Sequence, residues 1–142
     1  MMNSSNNINN VFDIAGRAMA SQMVRLNTIA SNLANAQSIS SSREDAYRAL
    51  RPVFETKYAA DADKSGMSTL DTNSIVQIDR EPEKIHMPDH PKADEKGFIY
   101  VAAVEPEEEM VDMLDANRQY QNNIEVVTTM RALMMRTINM GK

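Results

Sequence analysis

The sequence predicts a mainly α protein: two long terminal helices pairing as an antiparallel, coiled-coil-like rod, with a small, irregular, β-leaning segment between them. Two runs of spacing and one break predict it. Near the N-terminus, Phe12, Ala15, Met19, Gln22, Leu26, Ile29 and Leu33 recur at alternating steps of three and four. Near the C-terminus, Met110, Met113, Asn117, Tyr120, Ile124, Val127, Arg131, Met134 and Ile138 do the same. That spacing is the seam of a helix that packs on another helix. Between the runs, Pro52, Pro82, Pro88 and Pro91 deny the chain a helix. Matching seams at the two ends point to assembly rather than chemistry.

In chain order, residues 1–10 are polar and Asn-rich and read as a flexible leader, with too little apolar surface to offset ordering. Residues 11–37 form the first helix, capped by Asn9 or Asn10, with Asp13 in its first turn. Residues 38–105 are the extended middle. There Pro52 suggests an edge strand within 47–58, residues 74–79 (SIVQID) are β-prone, and residues 97–104 (GFIYVAAV) are the best strand candidate. Residues 106–142 form the second helix. Pro106 is pre-shaped for its first turn, Glu107, Glu108 and Glu109 complement the exposed N–H groups there, and Gly141 ends it.

Composition narrows the function classes. The 142 residues suit one domain, and with aromatics at 5 %, no Trp and 12 Met the core is expected to be thin. A net charge of −5 argues against a nucleic-acid binder, which needs a basic face to displace counterions. There is no Cys, so neither a disulfide nor a thiolate site forms. The first residues lack the basic patch and apolar run of a Sec-type signal, so a role outside the cytoplasm implies another export route.

Chemical motifs are weak. His86 and His90 lie four apart, but Pro88 and Pro91 prevent the helix that would aim both at a metal, and they read as solvated loop residues. Asp61-Ala62-Asp63-Lys64-Ser65-Gly66 begins like a calcium loop but has Thr72 where the closing Glu belongs. No nucleophile elbow or phosphate-cradling Gly-rich loop is present, so no catalytic residue, metal ligand or cofactor is assigned. The functional positions are instead expected to be helix-pairing and subunit-interface residues. These are Phe12, Ala15, Met19, Gln22, Leu26, Ile29, Leu33 and Asn35 on the first helix. On the second they are Met113, Asn117, Tyr120, Ile124, Val127, Arg131, Met134 and Ile138. Two readings stay open for Gln22, Asn117 and Arg131: they face water, or they fix register as buried polar groups do in coiled coils.

The same two ends carry a resemblance. Residues 30–36 (ASNLANA) resemble the signature of the flagellar axial proteins, the rod, hook and hook-associated families. In those families a Leu-Ala-Asn segment ends this helix and a Thr follows, a position held here by Ser38. Residues 12–16 (FDIAG), 25–27 (RLN), 46–48 (AYR), 90–94 (HPKAD) and 96–98 (KGF) resemble the proximal-rod branch. Tyr120-Gln121, residues 123–126 (NIEV), Thr129, Met134 and Gly141 resemble it too, whereas Ala102-Ala103 and Asn122 depart from its pattern.

The resemblance implies a structural subunit, not an enzyme, exported in a largely unfolded form by the flagellar type III apparatus. It implies polymerisation with copies of itself, the B and F proximal-rod subunits and the basal adaptor FliE. The product would be the periplasmic rod of the flagellar basal body, a drive shaft for torque. The alternative is a helical adaptor or secretion chaperone.

Overall fold

A computed structural model describes residues 4–58 and 68–140. Helix α1 spans Ser4–Asn35 and helix α2 spans Pro106–Met140. Between them lie five strands: β1 (Ile39–Ser40), β2 (Leu50–Tyr58), β3 (Ser68–Gln77), β4 (Glu83–His86) and β5 (Phe98–Val101). The calcium-loop-like stretch at 61–66 and the terminating Gly141 fall outside the described residues.

Helix α1 starts earlier than expected, so residues 4–10 are helical rather than an unordered leader, and neither Asn9 nor Asn10 is a cap. Nucleating a helix is the unfavourable step, whereas extending a formed one adds a hydrogen bond per residue fixed. Judging the Asn-rich segment in isolation therefore overstates its tendency to stay unordered. Asp13, inside the helix, pairs with Arg17 one turn on at 3.2 Å. At the other end the helix closes through Ser38 N–H to the Asn35 carbonyl at 2.9 Å.

The strands form two separate antiparallel sheets, β1-β5-β4 and the ribbon β2-β3. Pro52 sits within β2 opposite Ile75, because both strands of a two-stranded ribbon are edges and can lack a donor on one side. The register slips between Val53 and Phe54, which pair with Ser74 and Thr72. Strand β4 was not expected. It fits its four residues between Pro82 and Pro88, and it places His86 on a strand rather than in a loop. His90 lies in the following turn, where its Nδ1 accepts the Lys92 N–H at 3.1 Å.

The core sits where the sheets meet the bases of the helices. Ala36, Ala49, Ala102 and Val104 are buried there, with Tyr47 and Ile78 packed against them. After β5 the chain continues the pairing, with Ala102 N–H donating to Ser38 O at 3.0 Å and Ala103 N–H to Tyr47 O at 2.8 Å. A core made mostly of alanine brings backbones close but buries little apolar area per residue.

One turn has strict requirements. Gly97 has φ of +77°, and a Cβ there would meet Pro88 Cβ at 3.0 Å and His86 Nε2 at 3.2 Å. Gly97→Ala is expected to cost about 2 kcal/mol in thermal or urea unfolding, from the left-handed backbone and that crowding. The Phe98 N–H, and after it that of Lys96, hold the Asp94 carboxyl below its ordinary value of 3.8 against opposing desolvation. A depressed folded-state value means the turn is stabilised by its carboxylate above that ordinary value and loses this as pH falls through the depressed one. An NMR titration should show Asp94 protonating below that ordinary value.

Candidate assembly surface and its supporting junction

The helices are joined to each other and to the sheets by a polar junction. Asn32, on the last turn but one of α1, is 0 % exposed and uses all its hydrogen-bonding capacity. Its Nδ2 donates to Leu50 O at 2.9 Å and to Glu109 Oε2 at 3.0 Å. Its Oδ1 accepts from Leu50 N–H at 2.8 Å and from Tyr47 Oη at 3.0 Å. One side chain thereby ties α1 to the start of β2 and to the first turn of α2. Asn35, one turn later, donates within its own helix, to Ser31 O at 2.8 Å.

Glu109, 1 % exposed, needs a counter-charge, and Arg51 of β2 supplies it. Arg51 Nη1 lies 3.2 Å from Glu109 Oε2 and its Nη2 lies 3.1 Å from Oε1, a two-pronged contact. Arg51 also reaches Asp112 at 3.0 Å, and Arg25 of α1 meets the same aspartate at 3.4 Å. Arg80, between β3 and β4, pairs with Glu105 at 3.1 Å and Glu108 at 3.2 Å. The acidic start of α2, expected to serve helix electrostatics alone, is therefore also the socket for arginines from three other segments. The exposed Arg80 pairs contribute little, whereas the buried Glu109 depends on Arg51.

From this base the helices run side by side, with Gln22 Nε2 donating to Gln119 Oε1 at 2.8 Å. Gln22 Oε1 is buried without a partner among the described residues. On α1, Ala15 and Ile29 are buried, while Phe12, Met19, Gln22, Leu26, Leu33 and Asn35 are half-buried. On α2, Met113, Tyr120, Val127 and Met134 are half-buried. Asn117, Ile124, Arg131 and Ile138 are exposed, because the companion line on the covered side runs instead through Glu109, Ala116, Asn123 and Met130. The two polar interruptions in the expected seam, Asn117 and Arg131, were the signal of this one-residue offset.

Large apolar side chains consequently remain in solvent on α2. Ile124, Val126, Leu133, Met135 and Ile138 are between 43 and 59 % exposed, and Met140 is 81 % exposed. Met130, Leu133, Met134, Thr137 and Ile138 line a shallow, largely apolar groove. The helix is not long and apolar enough to cross a membrane, nor is any other among the described residues. Exposed apolar side chains around such a groove mark a contact surface.

Comparisons with known proteins meet this geometry. Residues 12–37 match a family described as "Flagella basal body rod protein", and residues 95–140 match one described as "Flagellar basal body rod FlgEFG protein C-terminal". The matched stretches include Asn32 and Glu109, while Arg51 falls between them. The chain is 37 % identical over 133 residues to "Flagellar basal-body rod protein FlgC" of Escherichia coli O157:H7, covering 94 % of this chain and 97 % of that one. It is equally similar, at 37 % and the same coverage, to the protein of that name from Salmonella typhimurium strain LT2. To the one from Aquifex aeolicus it is 35 % identical, over 94 % of this chain and 96 % of the other.

The chain belongs to the FlgC family of flagellar basal-body rod proteins. It is a structural component of the flagellar basal body, as the resemblance implied.

Proposed function

We propose that the protein is a self-assembling subunit of the proximal rod, and that its helices pair antiparallel, coiled-coil fashion, as the subunit's contribution to a drive shaft. The three links Asn32 to Glu109, Arg25 to Asp112 and Gln22 to Gln119 support the antiparallel sense, since numbers fall along one helix as they rise along the other. The observation that carries the assembly reading is the exposed apolar surface from Ile124 to Met140, which a lone subunit leaves in water. Burial at about 25 cal/mol per Å² against neighbouring helices is the favourable term that polymerisation adds. Neighbours in this reading are copies of the chain, the B and F rod subunits and the adaptor FliE. Delivery is in largely unfolded form through the type III export apparatus.

The test separates stability from assembly. Ile124→Asp and Ile138→Asp change exposed positions, so the isolated subunit should lose no more than about 0.5 kcal/mol. Rod assembly and motility should nonetheless fail while export into the medium continues. Normal motility in both variants would overturn the packing role of this surface.

A further inference from the structure

The outer face of the β1-β5-β4 sheet carries two aromatic rings and two bases. Alternate residues of a strand share a face, and the register sets Lys84 opposite Tyr100 and His86 opposite Phe98. Ile99, opposite Ile85 on the other face, is buried. Lys84 Nζ lies 4.0 Å from the Phe98 ring centroid and 5.8 Å from that of Tyr100, and His86 meets Phe98 edge-on at 4.9 Å. Lys84 and His86 are exposed, and both rings are half-exposed. The result is an apolar platform with an ammonium and an imidazole at its edge.

Its chemical complement lies elsewhere on the same chain. At the base of α2, on the side away from the buried Glu109 and Ala116, Met110, Val111 and Leu114 are all 58 or 59 % exposed. Exposed Glu107 and Asp115 border them, and Arg118 stands one turn beyond Leu114. Apolar surface thus matches apolar surface, and acid matches base.

We propose that the aromatic, basic sheet face of one copy seats on the exposed base of α2 in the next copy. Phe98 and Tyr100 cover Val111 and Leu114, with Lys84 toward Glu107, away from the like charge of Arg118. Two different patches meet, so the contact is heterologous and each added copy presents a fresh site, which generates a ring or helical array. Each patch is small, so the contact holds poorly between two copies in solution and well where other rod contacts position them. This inference rests on the rod-subunit reading and names one contact within it.

The chain has no Cys, so introduced thiols are the only ones it carries. Basal bodies would be isolated from the native bacterium carrying Tyr100→Cys, Leu114→Cys or both, and treated with a short bis-maleimide. The expected result is a ladder of cross-linked copies of this chain, present only with both substitutions. Monomer alone, or conjugates to other rod proteins alone, overturns the face pairing and leaves the rod reading intact. Absence of the unmodified chain from basal bodies overturns both. A charge exchange guards against a cysteine variant that fails to incorporate: Lys84→Glu should cut incorporation about tenfold, and Glu107→Lys in the same chain should restore it. Failure to restore overturns the contact.

Discussion

Glu109→Leu is expected to destabilise the subunit by about 3 to 5 kcal/mol, the range for removing one partner of a buried ion pair. The carboxylate accepts from Asn32 and from both prongs of Arg51, and its removal leaves a partly buried guanidinium and a fully buried amide short of an acceptor. Arg51→Met should cost a similar amount, because it strands the carboxylate instead. The double variant Arg51→Met with Glu109→Leu should recover the share that comes from the stranded charge, since apolar residues of similar size replace such pairs at little cost, and should keep the loss of the Asn32 donation. Urea unfolding of all four proteins closes the cycle. Additive losses would show that the pair is not coupled, contrary to its geometry.

Asn32→Asp should be comparably damaging, at about 3 kcal/mol or more, although the side chain barely changes shape. The amide donates to the Leu50 carbonyl and to Glu109 while accepting from Leu50 N–H and Tyr47 Oη. A carboxylate cannot make the two donations, and it sets a second negative charge against Glu109 in a buried site. Asn35→Asp, which among the described residues loses a single donation, to Ser31 O within its helix, should cost under about 1 kcal/mol. Thermal unfolding of the pair tests this, and equal losses at 32 and 35 would contradict the assigned roles. A misset junction should also lower incorporation into basal bodies, because the base of α2 and the sheet face would no longer hold their relative positions.

The helices were legible because their signals are local. Three-four spacing, Pro106 and the glutamates behind it are all written within a few residues of the structure they specify. Strand β5 was legible for the same reason, as a compact apolar run opened by Gly97. Strand β4 was not, because its neighbouring prolines signal interruption and only its pairing with β5 makes four residues a strand. The seam on α2 was read one residue off along one of its two lines, where Asn117, Ile124 and Arg131 stood in for Ala116, Asn123 and Met130. Either line suits a three-four pattern, and which one is covered depends on how α1 lies against it.

The sequence alone determined the helical ends and a thin core, since these follow from periodicity, short-range caps and composition, while its motifs carried the resemblance to the family. Only the tertiary structure decided that Asn32, Arg51 and Glu109 form one unit. Residues 18, 58 and 77 positions apart meet there, and no local pattern encodes a hydrogen bond between distant segments. Burial makes that unit matter: in the interior each polar group must find its partner in the chain, so position in the fold, not residue type, sets what each is worth.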